Sequence, residues 1–458
     1  MEFGFALLTD PIMSASAPSS PSNRPRKRHS TSNKNQYPQT VMKNGRKYFL
    51  DDKSYSPYPL PCDVKELSRQ TLWHELSREL WGGYSTINWD TEKLPDRVLD
   101  LGCGTGIWSA AMNEDFIKRG KKGTEFVGMD LMEGNQMDMR DVNWKFVKHN
   151  FLETPFPFEA ETFDFVFMRD IMLTYPSKDM YSGIISEVLR IIKPGGLFEI
   201  QCNDYIIRTL SRPSTPSYLP GTSSYEITST TQFLSVPENP FISTYNTLIT
   251  SALVKRDLPP VPCTLVKASF LTEDGVSILS QRRFALPFDQ IWWESTTAPS
   301  SSSTGGGDGN SDADSKASKR RSTSGSSVDS FQSAGKTYCG AGSRKRGGSV
   351  SASSYHHHHY SGKASSASGS GSGSGSSNGD QFPSPLTDAE LALRHLVRLM
   401  FVQLIEALEP VLRDAEGMEV DEWDSWYREL MWNWFEGGGL RGGECMEFGA
   451  WYGKKKAK

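Results

Sequence analysis

The chain reads as an α/β fold, a doubly wound and mostly parallel sheet with helices on both faces. Three observations predict it. Apolar runs of strand length recur between residues 97 and 201, separated by helix-competent stretches. The first run, Arg97-Val98-Leu99-Asp100-Leu101, ends in an acid and leads at once into Gly102-Cys103-Gly104-Thr105-Gly106. Ile107, Trp108, Ala110, Ala111 and Met112 can then start a helix. Strand, glycine turn and helix together open a nucleotide-binding sheet.

The remaining elements follow in order. The glycines suit a turn where a side chain would keep a ligand away from the backbone. Glu125-Phe126-Val127-Gly128-Met129-Asp130 is a second strand ending in an acid. A carboxylate at that tip can accept hydrogen bonds from both hydroxyls of a ribose. Trp144-Lys145-Phe146-Val147 is a third strand, followed by His149-Asn150-Phe151. Phe163 to Met168 is a fourth, apolar almost throughout, as suits a strand buried on both faces. Ile184 to Ile192 form a helix stopped by Lys193-Pro194-Gly195-Gly196, and Leu197-Phe198-Glu199-Ile200 is a fifth strand. The turn is G-x-G-x-G, with Ile107 where a dinucleotide fingerprint needs its third glycine, and no G-K-[ST] marks a P-loop. A phosphate-free ligand needs the turn but not a phosphate cradle.

Two tracts lack apolar periodicity. Residues 1–45 are rich in Ser, Pro, Asn and basic residues, and 296–380 are dominated by Ser and Gly; both are expected to be disordered. The first holds Arg24-Pro25-Arg26-Lys27-Arg28-His29, which reads either as a solvated charge run or as a nuclear localisation signal. The second holds Lys316 to Arg321, Arg344-Lys345-Arg346, the weak kinase-site candidate Ser322 and the run His356 to His359, where adventitious metal binding outweighs a functional site. Past it, Thr387-Asp388-Ala389-Glu390 is a capping box. Leu393, Leu396, Val397, Met400, Leu404, Leu408, Val411 and Leu412 share one helical face, read as core packing. Trp423 to Trp434 suggest another buried helix, and Cys445 to Tyr452 a closing strand.

Composition sets the outer bounds. Lys and Arg number 50 against 54 Asp and Glu, a formal charge of −4, which excludes a globally basic nucleic-acid coat protein. The 37% hydrophobic share is low for a globular chain, as expected when ordered and disordered segments are averaged. No uncharged apolar run approaches the roughly 18–20 residues that span a bilayer, and the N-terminus lacks the basic region of a secretory signal. The six cysteines have no zinc-type spacing and read as free thiols of a reducing compartment.

VLDLGCGTG (98–106), VGMDL (127–131), FDFVFMRD (163–170) and LRIIKPGG (189–196) together resemble a class I S-adenosylmethionine-dependent methyltransferase. That resemblance implies a Rossmann-like, seven-stranded sheet with its last strand antiparallel. Tyr58-Pro59-Leu60-Pro61-Cys62-Asp63, with Glu66, Arg69 and His74, resembles the lead-in of the fungal LaeA-like methyltransferases. SILSQRRFALPF (277–288) and CMEFGAWYGKKK (445–456) resemble their late strands. The implied organisation is a tail (1–45), an N-terminal lid (46–95), a cofactor-binding core (96–204), an acceptor or cap region (205–295), the insertion (296–380) and closing helices and strand (381–458). The acceptor pocket would be roofed by 46–85 and 205–290.

The resemblance implies S-adenosyl-L-methionine as cofactor, held by Asp100, Gly102, Gly104, Gly106, Asp130, Leu131, Asn150, Phe151 and Arg169. Asp100 would lie near the methionine moiety and Asp130 would bind the ribose. Asn150 stands where many relatives hold an adenine-binding Asp, and an amide oxygen can also accept. Phe151 would offer its backbone N–H to the adenine. Arg169 would pair with the methionine carboxylate or with an acceptor, or form a surface ion pair. Tyr58, Arg69 and His74 would close the pocket as part of the N-terminal lid; a purely structural helix accounts for Arg69 and His74 equally well. No catalytic base is assigned, no metal is expected, and His149 reads as structural. Arg169-Asp170-Ile171-Met172 is not the N/D-P-P-Y/F pattern, which points away from nucleic-acid bases and glutamine as acceptors. The acceptor is then a small molecule or a protein. The alternative is a nuclear regulatory subunit acting through protein partners in a velvet-type complex. The expected location is intracellular, nuclear if the basic clusters direct import and otherwise cytoplasmic.

Overall fold

A computed structural model describes residues 40–50, 58–133, 139–150, 153–174, 183–211, 218–219, 221–228, 234–271, 274–294 and 386–457. The basic clusters, Ser322, His356 to His359 and Phe151 lie outside the described residues.

The order of elements is a hairpin, β1 (Thr40–Lys43) and β2 (Arg46–Phe49), then α1 (Val64–Trp81), β3 (Arg97–Leu101), α2 (Ile107–Lys118), β4 (Glu125–Asp130), β5 (Asn143–Lys148) and β6 (Phe163–Arg169). Next come α3 (Ile185–Ile191), β7 (Ile192–Asn203), β8 (Arg208–Leu210), β9 (Tyr218–Leu219), β10 (Ser224–Glu226), β11 (Leu234–Ser235), α4 (Pro240–Val254), α5 (Pro262–Leu271) and β12 (Val276–Pro287). Past the Ser/Gly-rich tract follow α6 (Asp388–Glu416), α7 (Val420–Phe435) and β13 (Glu444–Lys455).

Seven strands form the expected sheet in the order β5-β4-β3-β6-β7-β13-β12. β5 through β7 are parallel, and β13 runs antiparallel to both β7 and β12. Four short strands extend it to eleven, with β10 and β9 continuing past β12, and β8 and β11 branching from β13. The chain order reverses between β3 and β6, the position where open α/β sheets leave a ligand crevice.

Alternation along the strands builds two cores. Leu99, Leu101, Val127, Met129, Val166 and Met168 face one side, packed with residues of α1, α3, α4, α6 and α7. Val98, Phe126, Phe165 and Phe167 face the other, covered by Trp108, Met112 and Phe116 of α2. Trp108 and Phe167 stack with centroids 3.8 Å apart. The fifth strand starts earlier than its apolar run suggested. The helix does end at Ile191, but Ile192 already pairs with Phe163 and the register then jumps to Leu197 opposite Phe165, so Lys193 to Gly196 form an irregularity within the strand.

The segments flanking the Ser/Gly-rich tract are fixed to each other. Thr387 and Glu390 form the capping box of α6. One turn on, Arg394 is fully buried and grips Glu294, also buried, at 2.7 and 2.8 Å. Its remaining N–H groups reach the Ser223 and Asp289 carbonyls, and Tyr225 donates to Glu294. Glu390 also accepts from the Tyr218 hydroxyl and Gly221 N–H.

Breaking this pair by Arg394→Met leaves a buried carboxylate without its partner, and the expected loss is about 3–5 kcal/mol in urea unfolding. The double change Arg394→Met/Glu294→Leu should recover most of it. Replacing 299–379 with a Gly/Ser linker of about ten residues should raise the unfolding midpoint modestly, because three halvings of a loop recover about 2 kcal/mol of closure entropy.

Candidate functional site

A cavity of about 520 Å³ lies along the carboxyl-terminal edge of the parallel strands. Its lining follows the sheet order: Asn150 after β5, Asp130 and Leu131 at β4, Asp100 and Gly102 at β3, Arg169 and Asp170 at β6, Asn203 at β7 and Met446 at β13. With strands ~4.8 Å apart, that row spans roughly 24 Å.

The β5-β4-β3 end is polar. Gly102 and Cys103 donate backbone N–H groups to the Met129 carbonyl at 2.8 and 3.3 Å, which locks the turn against β4. Gly102 and Gly104 have φ of +80° and +53°, the left-handed region that glycine enters without strain. Gly104 N–H donates to Asp130 Oδ2 at 2.9 Å and Leu131 N–H to Oδ1 at 2.6 Å, so the strand-tip carboxylate is pinned by backbone. Burial raises the Asp130 pKa and these N–H groups oppose it. Asp100 is buried and accepts from the Ser109 hydroxyl at 2.8 Å. Burial pushes its pKa up to about 7 against the pull of Ser109 and Arg169.

Asp100, Gly102, Gly104, Asp130, Leu131, Asn150 and Arg169 all line the cavity. Gly106 does not. It is the N-cap of α2 at φ +79°, and its N–H donates to the Cys103 carbonyl at 2.8 Å, so it shapes the turn from behind. His149 also lines the cavity, with its ring nitrogen 2.7 Å from the Glu153 carbonyl.

The β6-β7-β13 end is apolar and aromatic, with Tyr58, Leu60, Trp73, Tyr205, Met400, Phe401, Leu404 and Met446 around Asp170. This corrects the expected roof. Among the described residues of 205–290, only Tyr205 lines the cavity, and α6 supplies wall expected from that region. Residues 46–85 do contribute, through Lys47, Phe49 and the 58–73 segment. Asp63 caps α1 by accepting from Glu66 N–H and binds Arg46 of β2 at 2.7 and 2.9 Å, so one carboxylate ties hairpin to helix. The Arg46 hydrogen bonds hold its pKa down at about 2. Arg69 lines the cavity with its fork closed on buried Glu66 at 2.7 and 2.9 Å. His74 is not among the lining residues but contacts Arg169.

One positional requirement escaped sequence reasoning. A Cβ added to Gly128 on β4 would sit 2.0 Å from the Trp144 ring and 2.7 Å from Cys103 Sγ. Gly128→Ala should therefore push Trp144 against the glycine turn and cost about 1–3 kcal/mol, read as a lowered unfolding midpoint.

Residues 98–196 match a methyltransferase domain family. The secondary metabolism regulator laeA of Coprinopsis cinerea is 31% identical over 186 residues, 38% of this chain and 43% of the relative. The secondary metabolism regulator LAE1 of Cochliobolus heterostrophus is 25% identical over 176 residues, 36% of this chain and 54% of the relative. The sterol 24-C-methyltransferase erg6 of Schizosaccharomyces pombe is 32% identical over 117 residues, 23% of this chain and 27% of the relative. The chain thus spans about half or less of each relative's length. Strand order, glycine turn and these matches converge: residues 98–196 form a methyltransferase domain, and over about a third of its length the chain is similar to laeA-type regulators.

Proposed function

We propose that the protein transfers a methyl group from S-adenosyl-L-methionine to a small-molecule or protein acceptor at the apolar end of the cavity. The carrying observation is the backbone-pinned carboxylate of Asp130 facing a left-handed glycine turn at the sheet's reversal point. When bound, the cofactor supplies a methyl group already activated on a sulfonium. The chain's own task is alignment and exclusion of water. Asp130 holds the ribose hydroxyls, and Asn150 offers an amide oxygen to the adenine. Asp100 faces the cationic methionyl end, and the turn's glycines let the ligand lie against the backbone. Trp73, Tyr205, Phe401 and Met446 keep the acceptor end dry.

A second reading is favoured by the regulator names of several relatives. In it the protein binds the cofactor but acts in the nucleus through protein partners of velvet type. It expects nuclear accumulation that fails when Arg26, Lys27 and Arg28 are neutralised, and no methyl incorporation into any acceptor.

Calorimetry with S-adenosylmethionine tests the shared premise. Micromolar binding is expected, weakened roughly 10–100-fold by Asp130→Ala, the scale of losing charge-assisted hydrogen bonds. Gly104→Asp should abolish it, because the position has φ +53°, which an L side chain rarely adopts, and the added carboxylate would crowd the cavity beside Gln70. Absence of binding by the folded wild type would overturn both readings.

The pH dependence has a definite sign. Asp100 carries a folded pKa of about 7 without ligand, and a cationic ligand favours its ionised form. Affinity should therefore rise about tenfold from pH 6 to pH 8. Asp100→Asn should bind more weakly at pH 8 and lose this rise; an unchanged slope in that variant would refute the role.

A further inference from the structure

We propose that Asp170 takes the acceptor's proton at the apolar end of the cavity, and that the acceptor is a small, flat, largely apolar molecule offering a hydroxyl oxygen to the methyl group. The inference rests on the reading of the cavity as a methyl-transfer site and names the acceptor class for that site.

Asp170 directly follows β6 and lines the cavity. Its N–H donates to the Gln201 carbonyl at 3.1 Å, which carries the ladder with β7 one residue past the strand. Its φ is +55°, a left-handed conformation that Asp and Asn enter more readily than other side chains. The carboxylate does not cap the short turn that follows, Ile171–Leu173. It accepts from the Trp73 indole and keeps 32% of its side chain open. Arg169 Nε stands 4.0 Å from Oδ2, too far for a hydrogen bond. Burial raises the Asp170 pKa, opposed by Arg169, Trp73 and Arg69, and a raised carboxyl is the better proton acceptor. The other carboxylates on the wall, among the described residues, are engaged differently. Asp63 is closed on Arg46, Asp130 on backbone N–H groups and Asp100 on Ser109, while Glu133 is exposed to solvent.

The surroundings of Asp170 select the acceptor. Trp73, Tyr205, Phe401 and Leu404 line the same end, a wall of rings and branched carbons that favours a flat apolar body. Arg169 and Arg69 both act on Asp170 through space. A cationic amine bound there would meet two like charges, and a neutral hydroxyl meets none. The walls are also fastened to each other. The Tyr48 hydroxyl donates to the Ala407 carbonyl at 2.9 Å in a buried contact, and Lys65 pairs with Glu406 at 2.8 Å, so β2 and α1 are tied to α6. A polypeptide would have to part these walls to present a side chain, and a small molecule would not. In the transfer, the hydroxyl oxygen's lone pair forms the bond to the methyl carbon. The carbon–sulfur bond breaks with its electron pair left on sulfur. The hydroxyl proton passes to the Asp170 carboxylate, and solvent removes it after the product leaves.

The test is calorimetry of the full chain, saturated with S-adenosylhomocysteine, with three probes: 2-naphthol, naphthalene and the cationic 2-naphthylmethylamine. Thermal unfolding verifies that each variant is folded. Wild type should bind 2-naphthol about tenfold more tightly than naphthalene, the scale of a hydrogen bond to a charged group, and should bind the amine least tightly. Asp170→Asn suits the same backbone conformation and cannot hold a proton. It should bind S-adenosylmethionine as wild type does and lose most of the preference for 2-naphthol. Transfer of a labelled methyl group from S-adenosylmethionine to 2-naphthol should be measurable in wild type and fall about 100-fold or more in Asp170→Asn. A wild type that binds 2-naphthol no better than naphthalene overturns the proposal, as does tightest binding of the amine. So does 2-naphthol bound without transfer, or a transfer rate that Asp170→Asn leaves unchanged. Loss of S-adenosylmethionine binding in a folded Asp170→Asn would place Asp170 in the cofactor site and also overturn it. A folded wild type that does not bind S-adenosylmethionine overturns the cofactor reading itself, a distinct result.

Discussion

Everything after the Ser/Gly-rich tract must return to the sheet it completes, and the Arg394–Glu294 pair marks where it does. Neither partner is exposed, and the guanidinium spends every N–H on Glu294 or on a backbone carbonyl. From that point α6 runs back across the domain and delivers Met400, Phe401 and Leu404 to the cavity wall. β13 then slots between β7 and β12. The apolar end of the cavity is therefore built from both sides of the tract. Its integrity follows from a contact at the tract's base rather than from the tract's length.

The cavity combines two kinds of electrostatic preparation. At β4 the Asp130 carboxylate is fixed by backbone N–H groups, so it meets a ligand already oriented. At β3 and β6, Asp100 and Arg169 are held at the cost of burial, with a hydroxyl and a neutral imidazole as their main supports. These opposite charges at neighbouring strand tips attract each other through space, which offsets part of the cost of burying both.

Much of this was legible in the sequence, for physical reasons. The glycine turn and the acids at 100 and 130 are contiguous motifs, because backbone approach and strand tips confine them to fixed spacings. The seven-stranded sheet and its antiparallel last strand followed from the resemblance those motifs carry. Other features left no local trace. β8, β9 and β11 are two or three residues long, too short for a period. Met400 and Leu404 belong to an apolar stripe that looks the same whether it packs on a sheet or lines a cavity. Phe401 lies beside that stripe and gave no signal of its own. Gly128 is required by a ring on the next strand, and His74 meets Arg169 across 95 positions. Each such contact is set by tertiary geometry, which spacing does not encode.

The central place of β13 has a consequence during synthesis. On the ribosome, β12 emerges more than 150 residues before its neighbour, a delay on the order of ten seconds at about 5–20 residues per second. Throughout that interval β7 and β12 present unpaired edges, each able to recruit a strand from another nascent chain. Nonsense or frameshift lesions downstream of the tract should thus yield an aggregation-prone fragment rather than a shortened but folded protein, and cells making this protein should lean on chaperones that shield open sheet edges.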